Sequence, residues 1–189
     1  MRVIAGTHRG RRLRRPQGLA IRPTSDRVRE ALFSIIGNRL LNSRFLDLYA
    51  GTGAIGVEAL SRGAAHVTCV ESDAAALTLL RRNVEECKIA NGMTIYAHPV
   101  EHFLQRPDRW GGPYQIIFAD PPYMRTHEFI DLLTETMVNR FFTAETWLIL
   151  EHANKTSVPS SLGSAIRTRH YRYGDTALSR YSIPDTKQR

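Results

Sequence analysis

The sequence has little of several residue types, and each shortage excludes a class of protein. Only two cysteines occur among its 189 residues, and neither has a partner at metal-binding or redox spacing, which excludes a disulfide scaffold and a cysteine-based zinc site. No stretch approaches the ~18 consecutive apolar residues of a membrane helix, and residues 1–6 lack the apolar run of a signal peptide. We therefore expect a cytoplasmic, one-domain protein that has no membrane partner.

Acidic residues are nearly absent from the first 29 positions, which hold nine arginines and one acid, Asp26. The whole chain has a formal net charge of +8, so the remaining residues sum to zero. A basic segment attached to a domain without net charge is typical of proteins that bind a polyanion. All the basic residues of this segment are arginines, which bind phosphate through two parallel N–H groups, as lysine cannot. Nucleic acid is the expected partner, with a solvated tail or a segment bound to acidic lipids as the alternatives.

Local patterns divide the chain into an arm over residues 1–22 and a domain over residues 23–189. Residues 2–6 and 11–15 flank a turn-prone stretch, which predicts a basic β-hairpin. N-cap chemistry at residues 24–26 then precedes apolar residues at helical spacing until Gly37. A helix is therefore expected to join the arm to the body.

From residue 45 onward, short apolar runs alternate with helical patterns. Strands are predicted at 45–50, 66–71, 94–96, 115–119 and 147–151, and helices at 54–62, 73–90, 100–105 and 127–138. This alternation indicates an α/β fold with a parallel sheet and helices on both faces. Residues 166–173 and 177–183 predict an antiparallel hairpin that closes the sheet.

The first strand runs into glycines that permit a tight turn and a close approach of a ligand. Gly51, Gly53 and Gly56 satisfy the dinucleotide-binding fingerprint, and Glu71 follows Gly51 by 20 residues, where a ribose-binding acid belongs. The same pattern is compatible with S-adenosylmethionine, with Glu71 accepting hydrogen bonds from the ribose hydroxyls. The loop alone leaves both cofactors open.

The sequence Asp-Pro-Pro-Tyr at 120–123 follows the fourth predicted strand. It resembles the catalytic tetrapeptide of methyltransferases that act on amino groups conjugated to planar rings or amides, and it has no role in hydride transfer. The Asp120 carboxylate and the Pro121 carbonyl can accept hydrogen bonds from such an amine and orient it for attack, while Tyr123 offers a ring on which an extruded base can stack. These residues favour S-adenosylmethionine over a dinucleotide.

Together these motifs strongly resemble the RsmD family of bacterial guanine-N2 methyltransferases of small-subunit ribosomal RNA. The resemblance runs nearly end to end, and its most specific parts are Arg-Pro-Thr at 22–24 and Ser-Arg-Gly-Ala at 61–64. It implies a class I S-adenosylmethionine-dependent methyltransferase fold, Rossmann-like with a seven-stranded sheet. It also implies 16S rRNA or the small ribosomal subunit as the partner, and a reaction that needs no metal. His98 and His102 have no evident third ligand, so they are interpreted as a surface pair. The short domain with its long arm favours a monomer.

The resemblance also implies a set of site residues. The catalytic residues are Asp120, Pro121 and Tyr123, and those for the donor are Asp47, Tyr49, Gly51, Gly53, Glu71 and Asp120. RNA phosphates are assigned to Arg9, Arg11, Arg12, Arg14, Arg15, Arg22, Thr24, Arg27 and Arg29. No acid stands at the usual adenine-binding place after the third strand, and Glu101 is the nearest substitute.

Three other functions remain open. The tetrapeptide also serves adenine N6 or cytosine N4 in DNA and a glutamine side chain in protein, although the chain shows no target-recognition domain and the basic arm disfavours a protein substrate. A non-catalytic RNA-binding assembly factor could keep the fold as a scaffold. An oxidoreductase that uses a nicotinamide dinucleotide would need hydride chemistry, for which no residue cluster is evident.

Overall fold

A single sheet organises the chain. The computed structural model describes residues 1–15, 25–106, 111–136 and 143–184. The strands are β1 (Arg44–Leu48), β2 (His66–Val70), β3 (Met93–Tyr96), β4 (Ile116–Ala119), β5 (Trp147–Ala153), β6 (Ser161–Leu162), β7 (Ala165–Tyr173) and β8 (Thr176–Ser182). Their order is β3-β2-β1-β4-β5-β8-β7-β6, with parallel pairing from β3 to β5 and antiparallel pairing beyond.

The described residues form five α-helices. They are α1 (Asp26–Ile36), α2 (Ala54–Ser61), α3 (Ala74–Glu86), α4 (Val100–Leu104) and α5 (Thr126–Thr136). Of these, α1 precedes β1 and the other four connect strands. Two apolar clusters flank the sheet: one contains residues of α4 and α5, and the other contains residues of α1 and α2. The predicted α/β architecture with helices on both faces is confirmed. No helix in the described ranges is long and apolar enough to cross a membrane.

The ends of α1 follow the local chemistry that the sequence indicates. The Ser25 hydroxyl accepts a hydrogen bond from the Val28 N–H at 3.2 Å, which satisfies one of the unpaired donors of the first turn. Gly37 ends the helix with a φ of +56°, a conformation that residues with a side chain rarely adopt. The helix predicted between the N-cap and Gly37 is therefore present.

Among the described residues the sheet has eight strands, and the resemblance predicted seven. The additional strand is β6, two residues long, which pairs antiparallel with the start of β7. Leu162 in β6 is buried at 1% exposure, so the short strand covers an edge of the core. Its surroundings, Ser160 to Ser164, are mainly serine and glycine, and they carry no alternating apolar pattern that would have indicated a strand.

The N-terminal segment, residues 1–15, packs against the body of the protein. Instead of two predicted strands, the structure has one antiparallel bridge between Arg2 and Arg12, with backbone hydrogen bonds on either side of it. Val3 and Leu13 are buried at 1% and 4% exposure, against Val57 of α2. The apolar residues of the segment therefore hold it on the domain.

Two side chains of α2 anchor this segment. The carboxylate of Glu58, which has no exposed surface, accepts hydrogen bonds from the N–H groups of Ile4 and Ala5 at 2.8 and 2.9 Å. The hydroxyl of Ser61 donates to the Ala5 carbonyl and accepts from the His8 N–H. Ser61 belongs to the Ser-Arg-Gly-Ala motif, so that motif has a structural role in docking the segment.

Candidate active site

Three strands end side by side at the carboxyl edge of the sheet. Leu48 at the end of β1 lies opposite Val70 of β2 and opposite Ala119 of β4. The residues that follow these three strand ends are Tyr49, Glu71 and Asp120. They are neighbours at the edge where open α/β sheets bind ligands.

The glycine loop turns the chain from β1 into α2. Tyr49, Gly51 and Gly53 all have positive φ angles, of 63°, 54° and 74°. A Cβ atom at Gly51 would meet nothing within 4 Å, whereas one at Gly53 would lie 2.8 Å from Cγ of Leu80. Gly53 is thus required for packing on α3, and the backbone at Gly51 is open to a ligand.

Glu71 joins the glycine loop to the start of α3. Its Oε2 atom accepts a hydrogen bond from the Gly51 N–H at 2.7 Å. Its Oε1 atom accepts from the N–H groups of Ser72 and Asp73 at 2.7 and 2.8 Å. Each carboxylate oxygen has two lone pairs, so the side chain can fix both loops and still accept a hydrogen bond from a ligand.

Asp47 places a buried carboxyl group beneath this edge. It is 1% exposed, and the Gly56 N–H at the start of α2 donates a hydrogen bond to it. Its Oδ2 atom has no hydrogen-bond partner in the described part of the chain. Burial, and then the negative charge of Asp120, raise the pKa of Asp47 well above its usual range. Buried acceptors are normally satisfied, so this oxygen suits a ligand that donates a hydrogen bond.

The chain leaves β4 through two prolines into a single helical turn, Tyr123–Arg125. Pro121 is buried and Pro122 is exposed. The hydroxyl groups of Tyr123 and Thr176, the first residue of β8, form a hydrogen bond of 2.8 Å, which fixes the ring of Tyr123 beside the edge. Met124, which sequence reasoning missed, follows directly with 93% of its surface exposed.

Arg125 ties this turn to two helices. Its guanidinium contacts Glu101 of α4 at 2.7 Å and Glu128 of α5 at 2.9 Å. Glu101, the substitute for an adenine-binding acid, therefore already has an ionic partner. The rings of His98 and His102 lie 4.7 Å apart beside Tyr96; across the described ranges, no three acids, histidines or cysteines cluster as a metal site would need.

The predicted phosphate contacts differ in their exposure. Arg9, Arg12, Arg15 and Arg27 have exposed side chains. Arg14 is exposed but forms an ion pair with Glu86 at 2.5 Å. Arg11 is partly buried, and its guanidinium donates to the Cys87 carbonyl. Arg22 and Thr24 lie outside the described residues.

The structure corrects the prediction for Arg29. Its side chain has no exposed surface and donates hydrogen bonds to the Arg2 carbonyl at 2.6 Å and to Asp26 at 3.1 Å. Burial lowers the pKa of Arg29, and the charge of Asp26 partly opposes that shift. Arg29 therefore connects α1 to the N-terminal segment and presents no surface to a phosphate.

Sequence reasoning also missed Asn83, a buried residue of α3. Its side-chain amide donates to the Thr52 carbonyl in the glycine loop at 2.9 Å and to the Arg14 carbonyl at 3.2 Å. Its Oδ1 atom accepts from the Arg14 N–H at 2.7 Å. One side chain thus bridges the N-terminal segment and the glycine loop. The only available signal was an asparagine on an otherwise apolar helix face.

Comparisons with known proteins agree with these observations. Residues 1–182 match the family described as "Conserved hypothetical protein 95". The chain is 35% identical over 162 residues to ribosomal RNA small subunit methyltransferase D of Escherichia coli (strain K12), which covers 85% of this chain and 78% of that protein.

Solved structures share the fold. The structure of YhhF from Escherichia coli has a TM-score of 0.81 and 34% identity, and the match covers 97% of both chains. An RNA methyltransferase from Salinibacter ruber, solved with S-adenosyl-L-homocysteine, has a TM-score of 0.62 at 14% identity over 87% of this chain and 95% of that chain. The family match over nearly the whole chain, together with the identity to the Escherichia coli protein, shows that this chain belongs to the RsmD family.

Proposed function

We propose that this chain is an S-adenosylmethionine-dependent methyltransferase that modifies the exocyclic N2 of a guanine in the 16S rRNA of the small ribosomal subunit. The observation that carries the proposal is the position of Asp120 and Pro121, which follow β4 directly beside the Gly51 loop and Glu71. The Escherichia coli relative, named as a methyltransferase of small-subunit ribosomal RNA, supports the class of substrate.

The carboxyl edge of the sheet fits this donor. Oδ2 of Asp47, which has no hydrogen-bond partner among the described residues, offers an acceptor to a ligand, and the open backbone at Gly51 allows its close approach. When bound, S-adenosylmethionine supplies a methyl group activated by a positively charged sulfur. The residues that would hold it are Asp47, Tyr49, Gly51, Gly53, Glu71 and Asp120. Within this set, Glu71 accepts from hydroxyl groups and Asp47 from an amino group.

Asp120 and Pro121 orient the acceptor nitrogen. The lone pair of an amino group on guanine is delocalised into the ring, so the amine must be turned toward the methyl group before it can attack. A carboxylate and a carbonyl that accept from its two N–H groups hold it in that orientation. Prolines add no N–H donor that would compete for the carboxylate. Tyr123, fixed by Thr176, provides the ring on which the extruded base stacks.

Exposed arginines of residues 1–22 and of α1 bind the RNA backbone. Arg9, Arg12, Arg15 and Arg27 carry this role, because their side chains are exposed and arginine binds phosphate through two N–H groups. Arg22 and Thr24 extend this set by the family resemblance. Met124 at the rim of the site contacts the bases that flank the target guanine. The protein acts as a monomer in the cytoplasm.

The experiment that tests the proposal is methyl transfer from labelled S-adenosylmethionine to small ribosomal subunits, and to their stripped RNA, from cells that lack this activity. Label in N2-methylguanosine after digestion supports the proposal. Label in another base, in DNA or in protein would overturn the assignment of guanine N2 as the methyl acceptor. A protein that binds no donor is better explained as an assembly factor.

Replacing Asp120 by Asn tests the catalytic assignment. We expect the transfer rate to fall by at least ~100-fold, because the amine loses its orienting carboxylate, while the affinity for the donor falls much less, because the other five residues of the donor set remain. The control is Asp131→Asn, since Asp131 is an exposed carboxylate on α5. Near-normal turnover in the Asp120 variant would contradict the assignment.

A further inference from the structure

A second basic surface lies on the C-terminal hairpin, far along the chain from the arginine-rich N-terminus. We propose that this surface binds the RNA strand that leads away from the target guanine; the inference rests on the proposed function and extends it to a second contact site. The surface consists of Arg39, Trp147, Arg169, Tyr171, Tyr173 and Arg180, and we call it the arginine–aromatic face.

Strand register puts the five strand residues of this surface on one face of the sheet, and Arg39 joins them by lying over the Trp147 ring. Arg169 lies opposite Arg180 in the β7–β8 pair, and Arg180 lies opposite Ile149 in the β8–β5 pair. Residues directly opposite each other in antiparallel strands point to the same side. Trp147, Tyr171 and Tyr173 pack against the apolar cluster on that side, which is the side covered by α1. On this side of the hairpin Arg169 is exposed, and Arg180 and the three aromatic residues are partly exposed.

Two arginines lie over one tryptophan ring. The guanidinium carbons of Arg180 and Arg39 are 4.0 and 4.6 Å from the Trp147 ring centroid. When the planar guanidinium of an arginine stacks on an aromatic ring, its orientation is fixed, and the N–H groups at its edge can still donate to a phosphate. The stacking therefore holds two donors in place before any ligand binds.

Among the residues that the structure describes, no carboxylate lies within ion-pair distance of the arginines of this face. In the described part of the chain, neither Arg39, Arg169 nor Arg180 forms an ion pair; Arg39 donates to the Glu145 carbonyl and Arg180 to the Thr168 hydroxyl. Burial is the main cause that lowers the pKa of Arg180; the neighbouring Tyr171 raises it, and the positive charges of Arg169 and Arg39 lower it. Positive charges that repel each other at one place indicate an anionic ligand.

The arginine–aromatic face is connected to the candidate active site through Thr176 at the start of β8. Tyr173 lies opposite Thr176, and the Thr176 hydroxyl bonds to Tyr123 of the catalytic turn. From Thr176 to Arg180 the strand advances four residues, about 13 Å, which is long enough for a few nucleotides. RNA combines phosphates for the arginines with bases for the tyrosine rings, so it fits better than an acidic protein surface.

The test compares two double variants that remove the same charge. Arg39→Gln with Arg169→Gln removes two exposed arginines of the face. The control, Arg82→Gln with Arg172→Gln, removes one exposed arginine of α3 and one on the other side of β7. Binding of stripped small-subunit rRNA, and of an unrelated RNA of equal length, is measured over a range of salt concentrations.

We expect the face variant to bind small-subunit RNA roughly tenfold more weakly at 0.1 M salt, and the slope of log affinity against log salt to decrease by about 1 for each arginine removed. The control variant should stay near wild type. Ultraviolet cross-linking of bound RNA to peptides that contain Trp147 or Tyr171 would support the contact directly. Equal binding by the two variants, or cross-links confined to residues 1–15, would overturn it.

Two further results separate this inference from the proposed function. If the wild type methylates no RNA, yet the face variant still loses RNA affinity, the proposed function fails and the surface stands. If the face variant methylates and binds stripped RNA normally but loses affinity for intact small subunits, the partner is a protein of the subunit, and the RNA assignment is wrong.

Discussion

At the residue scale, Asp47 is an acidic side chain in a buried position that disfavours its ionised form. It is 1% exposed, and one oxygen of its carboxyl group has no hydrogen-bond partner in the described ranges. Such a group lowers the stability of the fold unless it is protonated or bound to a ligand. Its raised pKa means that the folded protein binds this proton more tightly than the unfolded chain does. Stability from this group is therefore present at low pH and is lost as pH rises from 3.8 through the folded value.

Replacing Asp47 by Asn should remove this pH dependence. We expect the free energy of unfolding at pH 8 to increase by about 1–3 kcal/mol, while affinity for S-adenosylmethionine decreases, because the amide has no negative charge for the donor. Urea unfolding between pH 5 and 8 and donor titration measure the two effects. A variant that is less stable at every pH and binds the donor normally would show that Asp47 has only a structural role.

At the scale of elements, the N-terminal segment depends on one carboxylate of α2. Glu58 accepts from two backbone N–H groups of the segment and from Arg62. In Glu58→Ala, both backbone donors remain without their acceptor, at a cost of about 1–3 kcal/mol each. We expect trypsin to cleave within residues 1–15 at least tenfold faster. Glu85→Ala, on the exposed side of α3, is the control, and equal cleavage of the two variants would exclude this anchoring role.

The sequence predicted the elements whose signals are local. The Ser25 cap, the stop at Gly37 and the turn at residues 51–53 require only neighbouring residues, and all three are present. Asn83 and Arg29 could not be predicted, because their partners lie 69 and 27 residues away. Arginine is usually exposed, and only the packed structure shows the segment that covers Arg29.

At the scale of the whole molecule, acidic and basic residues that balance in number along the sequence are not evenly mixed on the folded surface. Outside the first 29 residues the formal charges sum to zero, yet the arginine–aromatic face gathers three arginines without a carboxylate partner among the residues that the structure describes. Composition therefore predicted the basic N-terminal segment but gave no sign of the arginine–aromatic face. The candidate site is linked to both, through Asn83 on one side and through Thr176 on the other.

The identity of the donor also has a consequence for the whole fold, because a ligand that binds only the folded state raises its stability. At a concentration of 100 times its Kd, S-adenosylmethionine should add about 2.7 kcal/mol, which for a chain of this size corresponds to a rise in Tm of about 5–10 °C. The Gly51 loop also satisfies the dinucleotide fingerprint, so NAD is the informative comparison in the same thermal melt. Asp120→Asn should keep most of the shift with S-adenosylmethionine, because the other five residues of the donor set remain. A rise in Tm with NAD and none with S-adenosylmethionine would contradict the assignment of the methyl donor and would favour a dinucleotide as the ligand of the loop.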